Sequence, residues 1–215
     1  MKICIATTPI RPRPTIYPPF GSMAIIQSLR KIGEEVHFYH LDFFRYNQVE
    51  IEEYFKKHQF DMVGISAVVS TAYEYSKYLT KLVKNIKKDT LVFLGGGLAA
   101  SAEILHKKAN VDFCVLGDGE IISQNLIKSI REKKTSDREL ENVKGISFLD
   151  SKGNFKFTGY DHPLPASMIE RPDFGILEEI NCLDYYLKGP EDMISKFTNT
   201  NPNLKVEKTP GAAVV

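Results

Sequence analysis

Three glycine-bearing segments most limit what this chain can fold into: Gly64-Ile65-Ser66, Gly95-Gly96-Gly97 and Gly117-Asp118-Gly119-Glu120. Each follows a short apolar or β-branched run, Asp61-Met62-Val63, Leu91-Val92-Phe93-Leu94 and Val111-Asp112-Phe113-Cys114-Val115-Leu116. Helix-compatible stretches separate the runs, so they read as parallel strands of one sheet. Glycine at a strand end marks a place where the backbone turns sharply or a ligand comes close. In open α/β sheets, ligands sit in the crevice at the carboxyl ends of the strands. Three such ends side by side describe the floor for a large flat ligand.

The rest of the pattern fits that sheet. A first strand is expected over 3–6, then a stiff loop over 7–21 with five prolines. Met23, Ile25, Ile26 and Leu29 form an apolar stripe that predicts a helix over 22–31, stopped by Gly33. A second strand is expected over 35–39 and a helix over 49–57, with Ile51, Tyr54 and Phe55 able to face the sheet. The third strand spans 62–66, and Tyr75, Leu79, Leu82, Val83 and Ile86 give a helix over 72–86. The fourth strand (91–94), a short helix (102–108), the fifth strand (111–116) and a fifth helix (120–133) complete the series. Five β-α repeats with short connections imply an α/β fold: a flavodoxin-like (Rossmann-like), doubly wound, five-stranded parallel sheet.

After Thr135 the texture changes. Residues 143–150 and 154–158 flank Ser151-Lys152-Gly153, which reads as an appended antiparallel β-hairpin. The expected division is a Rossmann-like domain over 1–135, a hairpin extension over 136–160, and a linker with the start of a further domain over 161–215. Pro163, Pro165 and Pro172 mark that linker, one more helix is expected over 176–187, and Gly211-Ala212-Ala213-Val214-Val215 reads as the opening of a buried strand.

Composition narrows the partners. An apolar fraction of 43% supports a real core, and 28 Lys+Arg against 27 Asp+Glu leave a net charge of +1. Such a balance supplies no long-range field to gather nucleic acid or anionic membrane, so neither is an expected partner. Arg11 and Arg13, alternating with prolines, read as a solvated loop. No apolar run approaches the ~20 residues of a membrane span. The N-terminus enters a strand without a signal-peptide pattern, so a cytoplasmic protein is expected. Cys4, Cys114 and Cys182 make no Cys-x-x-Cys pair; Cys4 and Cys114 fall in strands, as small hydrophobes.

Several ligands use this architecture. A phosphoacceptor receiver needs an aspartate where Ser66 stands, a flavodoxin needs a glycine- and hydroxyl-rich loop after the first strand, and a dinucleotide fold needs Gly-x-Gly-x-x-Gly. None is present. What is present, in order, is Pro18-Pro19-Phe20-Gly21, Lys31-Ile32-Gly33-Glu34-Glu35-Val36, Asp61-Met62-Val63-Gly64-Ile65-Ser66, Leu94-Gly95-Gly96-Gly97 and Gly117-Asp118-Gly119-Glu120. Val143-Lys144-Gly145-Ile146-Ser147-Phe148, Leu164-Pro165 and Arg171-Pro172-Asp173-Phe174 follow. Over residues 1–175 this series resembles the N-terminal cobalamin-binding domain of cobalamin-dependent radical S-adenosylmethionine proteins.

The resemblance implies cobalamin as the cofactor, and the residues suit it. Ser66, Ala67 and the glycine run give a pocket small walls. Hydroxyls of Ser66, Ser70 and Thr71 can meet polar edges, and amides at Gly96 and Gly97 a phosphate. The competing local readings are a tight turn at 95–97 and a helix cap at Ser70-Thr71. The expected cofactor-binding set is Tyr17, Gly21, Ser66, Val68, Ser70, Thr71, Gly95, Gly96, Gly97, Gly117, Asp118, Gly119 and Glu120. No catalytic or metal-ligating residue is assigned.

One departure matters. Histidine-ligated cobalamin domains carry an Asp-x-His-x-x-Gly motif after the first strand, but no histidine lies between Thr7 and Gly21. The five histidines, at 37, 40, 58, 106 and 162, stand elsewhere. Cobalamin is therefore expected base-off, without a histidine on cobalt, with Tyr17 and Arg13 as candidates to cover its lower face.

The resemblance further implies a radical domain of the same parent protein as partner, holding S-adenosylmethionine and a 4Fe-4S cluster on three cysteines. Thr209 to Val215 looks like the opening of that barrel, and the chain stops before the cysteine motif. On this reading the chain is the cofactor-binding part of a methyltransferase or cyclase and performs no radical chemistry alone. The competing reading is a non-catalytic flavodoxin-like interaction or regulatory domain that does not bind cobalamin.

Overall fold

A computed structural model describes residues 1–188. Five strands, β1 (Lys2–Thr7), β2 (Glu35–Tyr39), β3 (Met62–Ser66), β4 (Leu91–Gly95) and β5 (Phe113–Val115), run parallel. Two more, β6 (Ile146–Leu149) and β7 (Phe155–Phe157), run antiparallel. The order across the sheet is β2-β1-β3-β4-β5-β6-β7. The expected five-strand count is corrected to seven, because β6 pairs with β5 (Cys114 opposite Ser147, Val115 opposite Ile146). Left alone, the outer edge of β5 would present unpaired N–H and C=O groups, and the hairpin covers it.

Helices α1 (Phe20–Lys31), α2 (Leu41–Phe44), α3 (Gln48–His58), α4 (Tyr73–Ile86), α5 (Ala102–Ala109) and α6 (Gly119–Arg131) alternate with the strands. Three short ones follow: α7 (Asp137–Leu140), α8 (Gly175–Glu179) and α9 (Leu183–Lys188). Alternating strand residues bury on opposite faces. Ile3, Ile5 and Phe113 pack with Met23, Ile26, Leu126 and Ile176 on the side of α1, α6 and α8. Cys4, Ala6, Val63 and Ile65 pack with Ile51, Leu79 and Leu105 on the side of α3, α4 and α5. All three cysteines are buried, and burial raises their thiols, Cys114 to about 12 and Cys182 to about 11.

His106 ties the hairpin to this layer: Nδ1 lies 2.7 Å from the Val111 carbonyl and Nε2 2.9 Å from Ser147 Oγ. Nδ1–H donates to that carbonyl, and burial is the largest cause of the ring's lowered pKa, outweighing the upward pull of the bond. Beyond the hairpin the chain folds back over α1. Gln27 bonds the Arg171 carbonyl and the Asp173 amide, Arg30 holds Glu179 through two bonds of 2.8 and 2.7 Å, and Lys31 pairs with Glu170. The single helix expected over 176–187 is instead two, broken where Asn181 takes a left-handed φ of 56°. The expected barrel strand at 211–215 lies outside the described residues. No helix among the described residues is long and apolar enough to cross a membrane.

Candidate cofactor-binding site

The register sets Thr7 of β1 beside Ser66 of β3, and Ser66 beside Gly95 of β4, so three small or hydroxylic residues close a row at the carboxyl ends. Above that row opens a cavity of about 640 Å³. Its floor includes Ile5, Gly64 and Phe93, and its walls come from the loop after β1, the first turn of α1 and the start of α6. A Cβ on Gly64 would stand 2.4 Å from the Phe93 ring and 2.7 Å from Ile5 Cδ1, so glycine here lets those side chains fill the floor.

Ten of the expected residues line the cavity: Tyr17, Gly21, Ser66, Val68, Gly95, Gly96, Gly117, Asp118, Gly119 and Glu120. Ser70, Thr71 and Gly97 do not. Ser70 and Thr71 are exposed in the 3-10 turn before α4, and neither makes a side-chain cap there. Gly96 has φ +91°, and a Cβ on it would lie 2.6 Å from the Ala67 carbonyl oxygen; one on Gly97 would lie 2.4 Å from that of Val68. The Ala67 amide bonds the Gly95 carbonyl at 2.9 Å, and the Leu98 amide bonds that of Ala67 at 3.0 Å. Glycines 96 and 97 thus serve the close approach of two strand-end loops, which is the tight-turn reading. Of the three, only Gly95 could carry a Cβ with nothing within 4 Å, so it faces open space. Asp118 Oδ2 accepts the Leu164 amide at 2.7 Å and so holds the returning chain.

Other lining residues carry no signal in the sequence strong enough to single them out. Ser22 and Ser123 are 2% and 1% exposed, both line the cavity, and neither hydroxyl has a hydrogen-bond partner among the described residues. Ser22 follows directly on Pro18-Pro19-Phe20-Gly21 and Ser123 sits mid-pattern in α6, so neither stands out from its own segment. Arg11 lines the cavity, whereas Arg13 does not. His40 also lines it, at the end of β2 and beside β1, with Nδ1 2.8 Å from Thr7 Oγ1 and Nε2 2.6 Å from the Tyr186 hydroxyl. Burial pushes its pKa down to about 4, so the imidazole is neutral.

The lining therefore brings hydroxyls, backbone and the Arg11 side chain to the mouth of a doubly wound sheet, with two buried hydroxyls left without a partner among the described residues. A family model of the B12 binding domain matches residues 8–127, more than half of the chain. The chain belongs to that family. A search of curated proteins by sequence finds no match. Among solved structures, the B12-binding fold seen here superposes on the cobalamin-dependent S-adenosylmethionine radical enzyme OxsB, with aqua-cobalamin and S-adenosylmethionine bound. The TM-score is 0.69 at 16% identity, covering 85% of this chain and 25% of that one. It also superposes on the radical S-adenosylmethionine methyltransferase TsrM from Kitasatospora setae, with cobalamin and a [4Fe-4S] cluster bound. There the TM-score is 0.58 at 20% identity, covering 80% of this chain and 31% of that one. At these identities the likeness is one of fold, and this chain spans about a quarter to a third of each structure.

Proposed function

We propose that this chain holds a cobalamin in the crevice at the carboxyl ends of β1, β3, β4 and β5, on behalf of a radical S-adenosylmethionine domain of the same parent protein. The observation that carries the reading is the pair of buried hydroxyls, Ser22 and Ser123, that line this cavity without a partner among the described residues. A buried hydroxyl without a partner costs about 1–3 kcal/mol, a cost that a ligand rich in amide groups removes. Ser22, Ser66 and Ser123 would supply hydrogen bonds to such a ligand. Gly95 leaves room for it, and Tyr17, Gly21, Val68, Gly96, Gly117, Asp118, Gly119 and Glu120 form the walls. Ser70, Thr71 and Gly97 act through the loops that carry them.

When bound, cobalamin supplies the cobalt centre for group or electron transfer; this chain's residues bind it, orient it and keep water from its buried face. Cobalamin would be held here base-off, with no histidine of this chain on cobalt. His40 lines the cavity, yet both its ring nitrogens are engaged, and ligating a metal would break the bond to Thr7 or to Tyr186. Tyr17 remains the candidate cover for the lower face. S-adenosylmethionine, the iron–sulfur cluster and the parent reaction, methyl transfer or cyclisation, belong to the partner domain. Electron paramagnetic resonance of the cob(II)alamin complex tests the ligation: no nitrogen superhyperfine splitting is expected. Splitting that disappears in His40→Ala would overturn it.

A further inference from the structure

We propose that Asp42 and Arg45, in and just after α2, are positioning residues that fix the loop between β1 and α1 and thereby shape one wall of the cofactor cavity. The proposal rests on the reading of that cavity as the cobalamin site.

Residues 8–19 connect β1 to α1 and include five prolines, each of which removes a backbone donor. Side chains from α2 supply replacements. Asp42 is 5% exposed; its Oδ2 accepts the Thr15 amide at 2.9 Å, and its own amide donates to Thr7 Oγ1 at 3.1 Å. Arg45 Nε donates to the Asp42 carbonyl at 2.5 Å and Nη2 to Asp42 Oδ1 at 2.8 Å. The far side of the same guanidinium reaches the loop, Nη1 to the Arg11 carbonyl at 2.6 Å and Nη2 to the Arg13 carbonyl at 2.8 Å. One Asp–Arg pair thus holds the backbone of residues 11, 13 and 15. Ile10, Arg11, Thr15 and Tyr17 of that stretch line the cavity, so the clamp and the wall are continuous.

Arg45 also sits at φ 54°, the left-handed region where glycine or asparagine is the usual helix stop. A position that favours glycine is filled instead by the side chain with the most donors in a fixed fork. An ordinary ion pair three residues apart would need only a cation. A lysine, with three donors on a single atom, could pair with Asp42 but could not reproduce the four bonds that Nε, Nη1 and Nη2 make to Asp42 and the two loop carbonyls.

That difference gives the test. Arg45→Lys, Arg45→Ala and Asp42→Asn are compared with the parent and with Lys107→Ala, which breaks a surface pair to Glu103 on α5. Aquacobalamin affinity is read from visible spectra, and exchange of the Thr15 amide is followed by hydrogen–deuterium exchange in cofactor-free protein. Losing two bonds made by a charged donor is expected to weaken cobalamin binding at least about tenfold and to speed Thr15 exchange by a similar factor. Arg45→Lys should fail to rescue either, while Lys107→Ala leaves both unchanged. Parental affinity and parental Thr15 protection in Arg45→Lys would overturn the proposal and leave a simple ion pair. Should Arg45→Ala fail to fold, Arg45→Lys carries the decision, and Asp42→Asn, whose side chain itself lines the cavity, is read by Thr15 exchange. A parent that binds no aquacobalamin would refute the reading of the cavity, and Thr15 exchange in the variants would then decide the clamp by itself.

Discussion

Acidification should destabilise this fold through His40, by an amount set by its burial. The ring is 2% exposed, stacked near Phe38, and bonded at both nitrogens. Desolvation is the largest cause holding its pKa down to about 4 from 6.5; Asp42 pulls upward and Arg45 downward by less. An unfolded chain takes up the proton as pH falls below about 6.5, whereas the folded chain resists until about 4. The contribution of neutral His40 is therefore fully present above pH 6.5 and is lost as pH falls toward 4. At 1.36 kcal/mol per pKa unit, the loss over that window is about 3 kcal/mol. His106, also buried with a lowered pKa, adds loss of the same sign. Urea unfolding followed by circular dichroism at pH 7 and pH 4.5 measures the sum, and His40→Gln isolates the part due to His40. An amide keeps one donor and one acceptor but does not titrate, so the variant should be weaker than the parent at pH 7 and should lose about 2–3 kcal/mol less on acidification. Equal losses in parent and variant would refute the assignment of a neutral, buried His40.

Removing the two orphaned hydroxyls should separate stability from binding. Ser22→Ala and Ser123→Ala are each expected to stabilise the cofactor-free protein by up to about 1 kcal/mol in urea unfolding while weakening cobalamin binding several-fold; loss of stability would mean that the hydroxyls already have partners. Gly96→Leu should destabilise by about 2 kcal/mol or more in the same assay, because its Cβ would press on the Ala67 carbonyl at an unfavourable φ; an unchanged urea midpoint would contradict that geometry.

Most of the fold was legible because it is written in periodicity. The runs at 62–66 and 91–94 lie close to β3 and β4, and the stripe of Met23, Ile26 and Leu29 forms the buried face of α1. The joining of β6 to β5 was not legible, since hairpin signals fix local pairing and say nothing about which edge receives the hairpin. The glycines located the cavity for a general reason: strand ends of a parallel sheet converge on one side. They did not separate Gly95, which faces open space, from Gly96 and Gly97, which let two loops touch, because that distinction is a long-range contact. His40, Ser22 and Asp42 were missed in the same way. Each is an ordinary residue in its own segment and reaches the cavity only through the adjacency of β2, β1 and α1.

Whether cobalamin occupies the space beside Gly95 is decided by a paired titration. A leucine side chain at Gly95 would enter the cavity without touching existing atoms at its Cβ, so the fold should survive. Parent and Gly95→Leu are titrated with hydroxocobalamin, following the visible spectrum and co-elution on gel filtration, with circular dichroism and urea midpoints as the check on folding. Saturable binding is expected for the parent, and none for a Gly95→Leu variant of parental stability. Equal binding by both would place the cofactor elsewhere, and no spectral change or co-elution with the parent would favour a flavodoxin-like interaction domain that holds no cobalamin.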